Sequence, residues 1–152
     1  KISQYSVIPF LLPRGRAYVS FLSALHLYGI IEQIPQSVTL ASTAHTKAIR
    51  TKLGAFYVHR IAPAFFKGFD WYKGDGDFLI AEPEKALLDF WHLAQGAWTV
   101  ERMLEMRFQN QNQVKAARLK AHAARFDSPR LHRAVTAWLE AVQAENEGTI
   151  QL

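Results

Sequence analysis

The sequence predicts an α+β fold: a small mixed β-sheet packed with helices, followed by a helical C-terminal extension. Three observations carry this. Short runs of alternating or β-branched residues read as strands between about positions 38 and 81, apolar residues at helical spacing flank them on both sides, and at 152 residues the chain suits one compact domain. Its composition, 49% hydrophobic with ten Phe and four Trp, supplies ample material for a core.

In chain order, residues 1–16 contain Pro9, Pro13 and Gly15 and read as an extended lead-in with little helix. Ser20 is placed to cap a helix whose apolar face is Phe21, Ala24, Leu25 and Tyr28, and Gly29 can stop it in a left-handed conformation. Val38 and Leu40 alternate with Thr39 and Ala41 as a short strand. Residues 42–54 are polar and basic and read as a loop, before a second strand from Ala55 to Ile61. Residues 69–72 and 78–81 flank Gly74-Asp75-Gly76-Asp77, a hairpin signal because a tight turn needs positive φ at its centre.

Glu82-Pro83-Glu84 opens the next helix, since proline is tolerated in a first turn and acids favour the positive end of the helix dipole. Ala86, Leu87, Phe90, Trp91 and Ala94 cover so much of its circumference that it is expected to be buried, and Gly96 ends it. Three further helices follow: one capped by Thr99, an Ala-rich one over 113–125, and a last one started by Ser128 and Pro129. The organisation is one domain over 1–152, with the lead-in 1–16, an α/β core 17–96 and a helical extension 97–152.

Charge is distributed unevenly. Net charge is +5, and residues 1–81 hold nine Lys/Arg against four Asp/Glu, while the remainder balances nine against nine. Two basic features stand out. The segment from Ser42 to Lys52 carries His45, Lys47, Arg50 and Lys52 with no acid. Lys115, Arg118, His122 and Arg125 lie three and four apart and line one helix face, with Arg130 and Arg133 close behind. Such cations can neutralise phosphates or meet an acidic protein surface, although a run of charge is also what an ordinary solvated face looks like.

Catalytic motifs are scarce. The absence of cysteine excludes disulfides and thiolate metal ligands. The six histidines show no HExxH and no i, i+4 pair, and neither GxSxG, SxxK nor a phosphate-binding glycine loop occurs. No metal or cofactor site is expected. Asp77, Glu82, Glu84 and Lys85 form the one enzyme-like cluster, with the ingredients of a metal-dependent nuclease. A simpler account is that Glu82 and Glu84 complement a helix N-terminus and Lys85 pairs with Asp89 one turn later. No apolar run approaches the roughly 20 residues of a membrane span and no signal peptide is visible, so a cytoplasmic location without membrane contact is expected.

From Gly15 to Gln95 the chain resembles the core of the AbiEi-type antitoxins, predicted transcriptional regulators of bacterial viral-defence systems. The resemblance rests on Tyr18-Val19-Ser20, Ser23-Ala24-Leu25, Tyr28-Gly29, Val38-Thr39-Leu40-Ala41, Leu53-Gly54-Ala55-Phe56-Tyr57 and Phe66-Lys67-Gly68. Its most specific part is Ile80-Ala81-Glu82-Pro83-Glu84-Lys85-Ala86-Leu87-Leu88-Asp89. The resemblance implies a non-catalytic domain that opposes a nucleotidyltransferase-like toxin and contributes to repression of its own operon. The expected partners are therefore operator DNA, the cognate toxin, or both, with no small-molecule substrate. Residues 1–16 are too few for the N-terminal winged helix-turn-helix typical of such proteins. A nuclease-like domain, active or degenerate, and a plain protein-interaction module are the alternatives the residues leave open.

Overall fold

A six-stranded mixed sheet forms the centre of the computed structural model, which describes residues 4–12, 16–44, 46–72 and 78–150. The strands are β1 (Ala17–Val19), β2 (Val38–Ser42), β3 (Lys47–Thr51), β4 (Gly54–Arg60), β5 (Phe69–Trp71) and β6 (Leu79–Ala81), in the order β3-β4-β2-β1-β6-β5. β1 runs parallel to β6 and β2 parallel to β4, while the β1–β2, β3–β4 and β5–β6 pairs are antiparallel. The helices are α1 (Ile8–Leu11), α2 (Phe21–Leu27), α3 (Pro83–Leu93), α4 (Val100–Glu105), α5 (Ala116–Arg125) and α6 (Pro129–Ile150). This is the α+β architecture expected, with the C-terminal half helical.

One apolar cluster runs through both halves. Tyr18, Val19, Leu40 and Val58 of the sheet belong to it together with Trp91 of α3, Leu119 of α5 and Leu131 and Trp138 of α6. Trp91 is fully buried, its ring 5.8 Å from that of Trp138. Each such side chain contributes about 1.5–3 kcal/mol by leaving water. The helical extension is therefore packed onto the core. No described helix is long and apolar enough to cross a membrane.

Three local expectations need correction. Residues 4–11 are helical, a 3-10 turn over Gln4–Val7 running into α1, instead of extended. Pro9 falls in the first turn of α1, where its missing N–H removes no bond. The basic segment 42–54 is not a loop either: Lys47–Thr51 pairs with Gly54–Arg60 as an edge strand. Finally, Ser20 makes no side-chain cap on α2. Thr39 replaces it from the neighbouring strand, its Oγ1 accepting from Ser23 N at 3.2 Å and donating to Ser20 O at 2.7 Å.

The other end of α2 behaves as expected. Gly29 adopts φ 73°, Gly29 N donates to His26 O and Ile30 N to Leu25 O, which satisfies the last carbonyls of the helix. The chain enters α2 through Phe21 at φ 59°, a left-handed conformation that costs a non-glycine residue about 1–2 kcal/mol. Burial of the Phe21 ring, edge-on to His59 at 4.8 Å, offsets it. Thr99 and Ser128 cap α4 and α6 through Arg102 N and Leu131 N. The β5–β6 pairing has the expected hairpin register, Trp71 opposite Leu79, while the Gly74–Asp77 tip lies outside the described residues.

Candidate functional site

The sequence directs attention to the start of α3, and its charged side chains leave the helix in two directions. Lys85 and Asp89, one turn apart, both face β1. Lys85 Nζ pairs with Asp89 Oδ1 and donates to the Tyr18 hydroxyl at 3.0 Å. Asp89 Oδ2 accepts from Tyr18 OH at 2.8 Å and from Ser20 Oγ at 2.6 Å. The ammonium also stands 5.1 Å from the centre of the Phe126 ring, a cation–π contact.

Lys85, Tyr18, Ser20 and Asp89 are all buried. Burial pulls the Lys85 ammonium below its ordinary range, an effect larger than the opposing attraction of Asp89. Burial, and then the Asp89 carboxylate, push the Tyr18 phenol well above its ordinary range. Both shifts come from removal from water and from neighbours that are already bonded. This cluster has the composition of a reactive centre and the closure of a core.

Glu82 and Glu84 point the other way, towards α5. Glu84 is fully buried: its Oε2 accepts from Lys115 N at 2.7 Å, and its Oε1 faces the Arg118 guanidinium at 3.8 Å. Lys115 is the N-cap residue of α5, so Glu84 serves the role that a capping-box glutamate serves within one helix. Glu82 Oε1 accepts from His122 Nε2 at 2.8 Å, and Glu82 Oε2 lies 3.9 Å from Arg118. A carboxylate can only accept, which places the His122 proton on Nε2.

Gly68 explains why the chain can close over this network. It adopts φ 80° and its carbonyl accepts from Glu82 N. A Cβ there would stand 2.8 Å from Lys85 Cγ and 3.2 Å from His122 Cε1. Only glycine permits both the backbone conformation and the approach.

Family models, curated proteins and solved structures contain no match to this chain.

Of the enzyme-like cluster, Glu82 and Glu84 meet at Arg118, Glu82 also held by His122 and Glu84 by Lys115 N, while Lys85 is sealed away from them on Asp89 and Tyr18; Asp77 lies outside the described residues. Among the described residues, no group of three or more His, Asp or Glu side chains could hold a metal ion.

The basic features divide in a way that spacing alone does not reveal. Along the predicted stripe, His122 is buried against Glu82, a correction to its reading as a surface contact. Arg130 is likewise turned inward, donating from Nε to Trp91 O at 3.1 Å and from Nη2 to Ala94 O, so it caps the C-terminus of α3. Arg118 is half exposed and shared with the two glutamates. Lys115, Arg125 and Arg133 are exposed, as is Lys120, which the spacing argument omitted. In the β3–β4 hairpin Lys47, Arg50 and Lys52 are exposed, joined by Arg60 at the end of β4. Lys47 and Arg50 are three apart on a strand and so leave opposite faces, which lets the hairpin present charge on both sides. His45 lies outside the described residues.

Sequence reasoning missed Tyr18 and Ser20 as partners of Lys85 and Asp89. A signal existed: a Lys–Asp pair inside a helix that is apolar over most of its circumference has no water-facing side to occupy.

Proposed function

We propose that this chain is an antitoxin and regulatory domain of the AbiEi type, non-catalytic, which contacts a polyanionic or acidic partner through exposed cations. The observation that supports the reading is the contrast between the acids of one motif, which are bonded, and the exposed basic side chains of the stripe and the hairpin. The acidic residues of the motif Ile80–Asp89, on which the family resemblance rests most, are bonded within the fold, Glu84 and Asp89 buried and Glu82 half-buried. Lys47, Arg50, Lys52, Lys115, Arg118, Arg125 and Arg133 keep side chains at the surface. Under this reading the motif is a scaffold, and function lies in what the scaffold displays. The partners are operator DNA and a nucleotidyltransferase-like toxin, and the place of action is the bacterial cytoplasm.

The test is binding of the chain to its upstream operator DNA and to a nucleotidyltransferase-like toxin encoded beside it, measured over a salt series. Contacts to phosphate release counterions, so DNA affinity is expected to fall steeply with salt. Arg118→Glu with Arg125→Glu is expected to abolish binding to the partner that uses the α5 face. Full retention with both partners dismisses that face, and affinity insensitive to salt for a protein partner alone marks a plain interaction module.

A further inference from the structure

Where the first helical turns meet the β5–β6 hairpin, the molecule holds a cavity of about 300 Å3. Ile8, Leu12, Phe78 and Leu79 line it and are each at most 9% exposed. Two exposed residues, Arg16 and Trp71, also line it. The Arg16 guanidinium rests 5.6 Å from the Phe69 ring centre, and none of the ion pairs among the described residues involves it. An apolar wall with one cation that no ion pair among the described residues neutralises is a directional environment. Water gains few hydrogen bonds against such walls, whereas a planar guanidinium matches a carboxylate through two parallel bonds.

We propose that this cavity binds an amphipathic monoanion, a carboxylate on an aliphatic or aromatic body. The body lies against Ile8, Leu12, Phe78 and Leu79, and the head pairs with Arg16. At roughly 30 Å3 per water-sized volume the space corresponds to about ten non-hydrogen atoms, the size of octanoate. The ligand bridges the N-terminal helical turns and the hairpin, so its binding tightens two segments that are far apart in sequence. None of this rests on the antitoxin reading, because the cavity is lined by neither α5 nor the β3–β4 hairpin.

The reporter is already present. Trp91, Trp98 and Trp138 are at most 6% exposed, while Trp71 is 59% exposed and lines the cavity. Octanoate, octan-1-ol and octylammonium are titrated into the full chain, with tryptophan emission and thermal unfolding as readouts. The expected result is a saturable change with millimolar octanoate and a raised midpoint, because a ligand that binds only the folded state stabilises it. Octan-1-ol and octylammonium are expected to bind roughly tenfold or more weakly, about the value of one charge-assisted contact. Arg16→Gln, at an exposed position, is expected to bring octanoate down to the level of octan-1-ol. Leu79→Phe, which fills the space, is expected to remove the response to all three. If that variant does not fold, Arg16→Gln decides alone. No saturable response to octanoate, equal binding of the alcohol, or an unchanged affinity in Arg16→Gln overturns the proposal.

Discussion

Lys85 and Lys47 carry the same side chain, yet one is fully enclosed between Asp89, Tyr18 and Phe126 while the other stands exposed on the edge strand β3. The region around Lys85 satisfies its charges from within, with Asp89 collecting donors from a lysine, a tyrosine and a serine. The β3–β4 hairpin has cations on both faces, and among the described residues no ion pair involves them. The lesson is that a charged residue carries little information until its neighbours are known. In the first region charge specifies which surfaces of α3 and β1 meet, and in the second it stands exposed on an edge strand and its hairpin partner.

This contrast is strongest at Asp89. Asp89→Ala leaves the Tyr18 and Ser20 hydroxyls enclosed without their acceptor and the Lys85 ammonium without its counter-charge, held by the Tyr18 oxygen alone, and is expected to destabilise the fold by about 3–5 kcal/mol in denaturant unfolding. Replacing both charges, Lys85→Met with Asp89→Leu, is expected to cost less than the single change, because no unpaired ion remains. A double variant less stable than Asp89→Ala would show that the pair contributes more than mutual neutralisation.

Gly68→Ala probes the same region through the backbone. The positive φ and the 2.8 Å approach to Lys85 Cγ together are expected to cost about 2–3 kcal/mol. A stability equal to the parent would mean that the Phe66–Gly68 segment relaxes away from α3 freely.

The hairpin should show the reverse pattern. Lys47→Glu with Arg50→Glu is expected to change stability by no more than about 0.5 kcal/mol, as at other exposed positions free of special contacts. A loss of more than that would show that the hairpin cations are structural after all and collapse the distinction between the two regions.

Much of the fold was legible because burial leaves a period. The helices α3 to α6 and strands β2 and β4 follow apolar spacing, and Gly29 closes α2 where the pattern stops. β3 was not legible, because only Ile49 is even partly buried and an edge strand needs no alternation to pair. The capping of α2 was misassigned for a different reason. Ser20 is a good cap in isolation, but the Asp89 carboxylate, 69 positions away, takes its hydroxyl. The candidate site was half legible. Spacing placed Lys115, Arg118, His122 and Arg125 on one helix, but not the fact that Glu82 and Glu84 at the start of α3 would reach three of them, nor that α3 would end on Arg130.

The Thr39 cap has a consequence for how the chain acquires its structure. With seven residues, α2 is well short of the roughly 12–15 that a solitary helix needs to persist in water. Its first turn is completed by a hydroxyl that arrives only when β2 has docked. Helix and strand must therefore be gained in a single cooperative step, and a peptide covering only residues 17–31 should remain a coil.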